Sequence, residues 1–322
     1  MGEGPEISVV VASHDRPVRL RWLLNALEDQ TLAPERWEIL VGHDSRGPET
    51  ERLLCEHPLA SAGTLRHATL PAGSAPPGAN RNAALRLARS DVVVFTDDDC
   101  RPPPEWLERA LAAARRHHGA IVQGATIPDP DEANMARAPH GHTQRIIPPV
   151  AWAQACNITY PRALIEQVGG FDEQVEVGED TDLSLRVQEA GAPYEAAPEV
   201  VTYHTIEDES LFRQLRGTWR WRDFPRLVKR HPSVRREFAM WIFWKPRHLW
   251  FPLAVAGCLL ARRRGSLALL AVPWVAHALP NYGPNPRGRL RAFSELPQVA
   301  ALDAAELAAL ARGSIRHRTL LI

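Results

Sequence analysis

The chain has 322 residues, 38 basic and 38 acidic side chains, and four cysteines, Cys55, Cys100, Cys156 and Cys258. That length accommodates one large α/β domain with an appendage, or two domains. The cysteines are scattered without CxxC spacing, which excludes a cysteine zinc site and a disulfide framework. The zero net charge conceals a split: 20 basic and 5 acidic residues lie from Leu211 onward, against 18 and 33 before it. An acidic first part suits metal or cationic-ligand chemistry, and a basic, Trp-rich second part suits an anionic surface, either lipid phosphate or nucleic acid. The opening Met1-Gly-Glu-Gly-Pro-Glu6 is acidic and does not read as a signal peptide, so a reducing cytoplasm is the expected compartment.

Glu6 to Ala12 reads as a buried first strand, followed by the loop Ser13-His-Asp-Arg-Pro17. Leu20, Leu23, Leu24 and Leu27 have helical spacing within 19–30. Trp37 to Val41 is a second strand ending in Gly42-His43-Asp44-Ser45. A short helix over 49–57 and a third strand over 64–69 follow. Pro77-Gly-Ala-Asn-Arg-Asn82 opens a helix that runs to Ala88. Next comes the strand Val92 to Phe95, a helix over 104–118 and a strand over 120–124. This βαβαβαβ alternation predicts a mostly parallel, Rossmann-like sheet. No GxGxxG follows the first strand and no GxxxxGK[ST] is present, which argues against a dinucleotide-binding oxidoreductase and a P-loop enzyme. Residues 126–150 read as a long, Pro- and Ala-rich loop of the kind that shapes a site. Residues 151–160 precede a helix started by Pro161, and Gly178-Glu-Asp-Thr-Asp182 opens a helix to about Ala190. Val200 to His204 is a final short strand.

The central strand ends in Asp97, Asp98 and Asp99. Three adjacent carboxylates repel one another unless a cation sits among them, and hard oxygen ligands suit Mg²⁺ or Mn²⁺. In an open α/β sheet ligands bind at the carboxyl ends of strands, where these residues lie. Read alone, the triplet is equally an acidic loop before the Pro-started helix at Pro102-Pro-Pro-Glu105.

The ordered set VVVASHDRP, ILVGHDS, GANRNAAL, VVVFTDDD, ACNITYPRALIEQVGGFDE, GEDTDLSLRVQEAG and YH resembles the family 2 glycosyltransferases of GT-A fold. The similarity covers roughly residues 6 to 205, and its flavour is that of bacterial enzymes modifying lipid-linked or cell-envelope glycans. The resemblance implies transfer from a nucleotide-diphosphate sugar, UDP before other bases, with inversion and with Mn²⁺ or Mg²⁺ as cofactor. It implies that Ser13, His14, Asp15 and Arg16 surround the nucleotide base, that Asp44 accepts from base or ribose, and that Arg81, flanked by Asn80 and Asn82, reaches ribose or diphosphate. Asp97 would face the ribose and share the metal with Asp99, with Asp98 between them, and His204 would be a further metal ligand. Asp180 would be the base that takes the acceptor proton and Glu179 an acceptor or sugar contact. Ordinary helix capping competes with that role, since acidic residues in a first turn favour the dipole. Trp152 and Asn157 are expected in the acceptor or donor-sugar pocket. Two other readings stay open, a sugar-nucleotide-binding assembly partner without catalysis and a nucleotidyltransferase-like enzyme.

The chain divides into 1–210, the transferase domain, and 211–322, a basic, aromatic helical region. Residues 249–261 and 266–279 are apolar but short of the about 20 residues that span a bilayer, with Arg262-Arg-Arg-Gly265 between them. An interfacial helical hairpin with Trp and Arg at the headgroup level is expected, on the inner face of the cell membrane. A buried hairpin is the competing reading. The uncharged apolar runs argue against nucleic acid as the partner. A last amphipathic helix is expected over 296–321.

Overall fold

The computed structural model describes residues 4–73, 75–135, 141–283 and 285–322. The chain divides into two units, Met1–Glu207 and Asp208–Ile322. The first half of the first unit follows the expected alternation: β1 (Ile7–Ser13), α1 (Pro17–Glu28), β2 (Trp37–His43), α2 (Pro48–Glu56), the single turn α3 (Pro58–Ser61), β3 (Leu65–Thr69), α4 (Pro77–Leu85) and β4 (Val92–Asp97). These strands run parallel in the order β3-β2-β1-β4. The apolar runs of β1, β2 and β4 are continuous because both faces are covered, whereas the edge strand β3, Leu65-Arg-His-Ala-Thr69, is polar and partly exposed. One face sets Val9, Val11, Ile39 and Val41 in a core with Leu20, Leu23, Leu24 and Leu27 of α1. The other sets Val10, Leu40 and Phe95 with Ala84 of α4. Phe95 meets Tyr160 and Phe171 edge-on, with centroids 5.8 and 5.3 Å away, the arrangement ring quadrupoles favour. A Cβ on Gly42 would lie 1.9 Å from the carbonyl oxygen of Asn80, so glycine here lets the first turn of α4 close on the end of β2.

Beyond β4 the sheet departs from the mostly parallel expectation. The unit continues through β5 (Cys100–Arg101), α5 (Trp106–Arg116), β6 (Ile121–Pro128), the two-residue β7 (Gly141–His142), β8 (Asn157–Pro161), α6 (Arg162–Gln167), α7 (Glu179–Glu189) and β9 (Tyr194–His204). The eight-stranded order is β3-β2-β1-β4-β8-β6-β9-β5. β8 lies antiparallel between β4 and β6, and β5 antiparallel to β9, whereas β6 and β9 are parallel. The sequence shows β8 only as a lead-in to a helix, because Pro161 ends the strand and starts α6 in one step. The long loop expected over 126–150 is interrupted by the end of β6, a 3₁₀ turn at Pro130–Glu132 and β7, while residues 136–140 lie outside the described residues.

Asn157, expected in a sugar pocket, has a different task. Gly124 of β6 pairs with Ala197, but Ala125 pairs with Val201, so Pro198, Glu199 and Val200 are extra residues in β9. Such a bulge leaves ladder carbonyls without partners. Asn157 Nδ2 donates to the carbonyls of Ala125 and Val200, each at 2.8 Å, and its Oδ1 accepts from Trp106 Nε1 at 3.0 Å. The side chain is buried and fully committed to repairing the sheet, which corrects the pocket assignment.

The second unit is helical: α8 (Leu211–Thr218), α9 (Phe224–Arg230), α10 (Pro246–Leu260), α11 (Val272–Ala278), α12 (Pro286–Ser294) and α13 (Leu296–His317). The second apolar run is a 3₁₀ stretch, Gly265–Ala271, leading into α11. Among the described residues no helix is long and apolar enough to cross a membrane. Several of the aromatics expected at a headgroup belt are packed inward: Trp244 sits 4.7 Å from Phe224 and 4.9 Å from Trp221 between ring centroids, and Trp274 is buried. Asp303 and Glu306 of α13 bind the first turn of α10. Lys245 Nζ lies 2.6 Å from both Glu306 oxygens, Arg247 Nε 2.7 Å from Asp303 Oδ1, and Trp274 Nε1 2.9 Å from Asp303 Oδ2.

Replacing Asn157 by alanine strands two ladder carbonyls and the Trp106 indole N–H. At about 1–3 kcal/mol per buried unsatisfied group, a stability loss of roughly 3 kcal/mol or more is expected in urea unfolding. A loss below about 1 kcal/mol would remove Asn157 as the bulge's support.

Candidate active site

The acidic triplet is fixed by strand register. Ala12 of β1 pairs with Asp97 of β4, so Ser13 and the following loop meet the residues after β4. Ser13 Oγ donates to Asp98 Oδ2 at 2.7 Å. Arg16 Nη1 lies 2.5 Å from Asp99 Oδ2 and 3.7 Å from Asp98 Oδ1, and its Nη2 lies 2.9 Å from Glu207 Oε1. The four-residue loop expected around one base therefore splits. Ser13 and Arg16 turn to the carboxylates because β1 and β4 are neighbours. His14 Nδ1 instead lies 2.9 Å from Asp44 Oδ1, and Asp15 accepts from the Arg46 backbone N–H at 2.7 Å while its own N–H donates to Ser45 Oγ at 3.0 Å. Asp15 takes a positive φ of 52° to make this turn.

Asp44 ends β2 in a nest of donors. Besides His14 it accepts from Asn80 Nδ2 at 2.9 Å and the Ala75 backbone N–H at 3.0 Å. Burial opposes ionisation there, but these hydrogen bonds outweigh it and hold the carboxyl below its ordinary range, so it is an anion at neutral pH.

The second acidic group opens α7. Gly178, at φ 81°, takes the left-handed conformation that turns the chain into the helix. Arg81 of α4 joins this group to the triplet: Nη1 donates to Glu179 Oε1 at 2.7 Å and Nη2 to Asp97 Oδ1 at 2.8 Å. Its buried guanidinium is thus engaged by two carboxylates. Asp180 Oδ1 accepts from the Thr181 N–H at 2.7 Å, and Oδ2 from the Ala155 N–H at 3.3 Å. Thr181 Oγ1 donates to the Trp152 carbonyl at 2.7 Å, which pins residues 152–155 beside Asp180.

Burial, and next the charge of Glu179, push the Asp180 carboxyl up to about 7 against the pull of Arg81. Burial and neighbouring Asp99 push Asp98 likewise up to about 7, and Asp99 is also raised, chiefly by burial. The triplet is thus short of positive charge. Cys100 of β5 pairs with His204 of β9, which brings His204 Nε2 to 3.6 Å from Asp99 Oδ1. That oxygen is buried without a hydrogen-bond partner. An orphaned carboxylate oxygen facing an imidazole nitrogen is a pair of donors that suits a divalent cation such as Mn²⁺ or Mg²⁺, while Asp97, on the same turn, is held by Arg81.

The sequence reading missed Glu207, which completes the Arg16 clamp, because it sits in an acidic stretch with no motif. It also missed Glu132. That residue pairs with Arg19 and accepts from Thr205 Oγ1 and the Ile206 N–H, both at 2.7 Å, so it anchors the chain just after His204.

Comparison with known proteins places this geometry in context. A family model described as glycosyl transferase family 2 matches residues 8–166, and one described as glycosyl transferase family group 2 matches residues 92–283. The O-antigen biosynthesis protein RfbC of Myxococcus xanthus is 29% identical over 218 residues, 58% of this chain and 16% of RfbC, so the chain spans a small part of that relative. The structure of the mannosyltransferase PcManGT from Pyrobaculum calidifontis, in complex with GDP-Man and Mn²⁺, aligns with a TM-score of 0.57 at 18% identity, over 96% of this chain and 87% of PcManGT. S. aureus TarS 1–349 in complex with UDP-GlcNAc aligns with a TM-score of 0.54 at 17% identity, over 98% of this chain and 92% of TarS 1–349. At these identities the two structures speak to the fold.

Asp98 and Asp180 both titrate above the ordinary range near 4 of an unfolded aspartate. Between about pH 4 and pH 7 these two groups therefore hold protons in the native state that they have released in the unfolded chain, and their contribution to stability falls as pH rises through that window. In chelator-treated protein, Asp180→Asn should raise Tm over wild type near pH 8 by a few degrees and leave it nearly unchanged near pH 4.5, read by scanning calorimetry. An equal shift at both pH values would mean that Asp180 ionises at its ordinary value.

Proposed function

This chain belongs to glycosyl transferase family 2 and is a glycosyltransferase of GT-A fold, and on that premise we propose a metal-dependent, inverting transfer from a nucleoside diphosphate sugar, UDP before others, to a hydroxyl acceptor. The observation that carries the proposal is the Arg81 bridge. One buried guanidinium holds Asp97 of the triplet and Glu179, the neighbour of Asp180, so a donor site and a proton acceptor occupy one cleft.

In this reading the acceptor oxygen forms its bond to the anomeric carbon on the face opposite the leaving group. The bond from that carbon to the β-phosphate oxygen breaks, and its electron pair leaves with the nucleoside diphosphate. The acceptor proton passes to the Asp180 carboxylate, whose pKa of about 7 suits a base at neutral pH. Asp97, Asp99 and His204 would hold the divalent cation, whose charge when bound favours departure of the diphosphate. Arg16 already lies on Asp99 and is placed to share that stabilisation. The preference for uridine rests on Asp44. It is a buried anion held by His14, Asn80 and the Ala75 N–H, and as a carboxylate it suits the imide N–H of uracil.

The acceptor reading, a glycan of the cell envelope or a lipid-linked one, draws on RfbC, an O-antigen biosynthesis protein. Trp152, whose backbone carbonyl is held by Thr181 next to Asp180, is our candidate for the acceptor or sugar pocket. The second unit supports peripheral membrane contact on the cytoplasmic side. Leu253, Leu259 and Leu260 of α10, and Leu269, Leu270 and Val272 after it, are exposed apolar side chains. The exposed Arg263 and Arg264 lie between these two groups, where they suit anionic headgroups.

Asp180→Asn should retain a Mn²⁺-dependent melting shift with one nucleotide class and lose transfer by at least about 100-fold, as expected when a base is removed. Wild-type kcat/KM should rise with pH through about 7. Turnover by Asp180→Asn at the wild-type rate would eliminate Asp180 as the base, and a melting shift without metal dependence would eliminate the cation.

Leu259→Glu combined with Leu269→Glu should abolish flotation of the full chain with phosphatidylglycerol-containing vesicles while the melting temperature changes little. Unaltered flotation would clear this surface of a membrane role.

A further inference from the structure

A second cluster of metal-ligating side chains lies away from the acidic triplet, where β2, β3 and α2 meet. The parallel pairing sets Val41 opposite His67 and His43 opposite Thr69. Side chains alternate along strands, so His43, His67 and Thr69 share one face of the sheet. Glu51, in the first half of α2, comes down onto that face. His43 Nε2 lies 3.0 Å from Glu51 Oε2, and His67 Nε2 lies 3.0 Å from Glu51 Oε1. The ligand atoms of all three residues fall within 4.8 Å of one another. Thr69 Oγ1 donates to Glu51 Oε2 at 3.0 Å and lies 3.3 Å from His43 Nε2.

We propose that His43, Glu51 and His67 form a binding site for a zinc-class divalent cation, separate from the Mn²⁺ or Mg²⁺ site of the transferase centre. Two imidazoles and one carboxylate are a nitrogen-rich set, which favours zinc over the harder cations. Zinc bonds of 2.0–2.2 Å at tetrahedral angles put ligand atoms about 3.4 Å apart; the three ligand atoms, within 4.8 Å of one another, reach that spacing by small side-chain shifts when the ion replaces the two His–Glu51 hydrogen bonds. Both rings turn Nε2 to the Glu51 carboxylate, His43 to Oε2 and His67 to Oε1. His43 is buried, but Glu51 and His67 are partly accessible, so an ion can enter and a water can complete the shell. Thr69 holds the carboxylate, as outer-shell partners do in zinc sites. No cysteine takes part. The bound ion would fasten the edge strand β3 to α2, one residue before Asp44, and needs nothing from the catalytic reading above.

The test uses the full chain stripped with a chelator, Zn²⁺ as the probe, and titration calorimetry with thermal melting as readouts. Wild type should bind one Zn²⁺ that Asp99→Ala retains, with a rise in Tm in both. His67→Ala should lose that equivalent, with an affinity drop beyond the about 10–100-fold that loss of an outer-shell partner costs. Glu51→Gln, which keeps the side-chain volume, should lose it as well and guards against a folding defect in the first variant. Retention of the equivalent in both cluster variants, its loss in Asp99→Ala, or no Zn²⁺ binding by wild type overturns the proposal.

Discussion

Crowding of negative charge at the ends of β4 and β9 and at the start of α7 is the constraint on which the first unit depends. Asp97, Asp98, Asp99, Glu179, Asp180 and Glu207 converge, and Arg16 and Arg81 are the guanidiniums paired with members of this group among the described residues. Two positive charges do not neutralise six carboxylates. Burial first, and then the unbalanced neighbouring charge, leave Asp98, Asp99 and Asp180 reluctant to ionise, and Asp99 Oδ1 is left without a hydrogen bond, facing only His204. Such an arrangement costs stability and persists because the surrounding sheet fixes it. The two arginines divide the labour. Arg16 gathers carboxylates around the β1–β4 seam, and Arg81 ties that seam to α7, so removing either would leave buried charge uncompensated.

Much of this was readable from residues alone. The unbroken apolar strands, the helical leucine spacing of α1 and the acidic ends of β4 and α7 all follow from periodicity and from the cost of adjacent carboxylates. What stayed hidden is long-range pairing. Nothing in Asn157-Ile-Thr-Tyr160 announces an antiparallel insertion between β4 and β6, since strand direction is set by partners elsewhere in the chain. Asn157 looked like a pocket residue because a polar side chain near a site resembles a ligand until its hydrogen bonds are counted. Glu207 and Glu132 carry no motif, and their roles arise from where β9 ends.

The second unit shows the same economy with opposite sign. Its few acids, Asp303 and Glu306, are spent internally on Lys245, Arg247 and His248, and Asp223 lies 3.2 Å from Arg316. Glu295 likewise takes Arg291 at 3.0 Å, and 20 basic against 5 acidic residues from Leu211 onward leave the unit with a basic excess. Some aromatics that looked like a belt from sequence pack inward, Trp244 and Trp274 among them, whereas Trp219 and Trp241 stay exposed, and aliphatic side chains are exposed on either side of the Arg262–Arg264 turn.

The slip between β6 and β9 sets a rule of phase. Three extra residues is an odd number, so the strand changes parity: Ala197 is buried before the bulge, and Val200, Thr202 and His204 are buried after it. A run that breaks alternation midway hides from pattern reading, which is why only its last five residues were recognised. The segment between Ala197 and His204 can therefore drift in composition but not in length. Losing or gaining one residue there would rotate the imidazole to the opposite side of the sheet and leave Asp99 facing backbone.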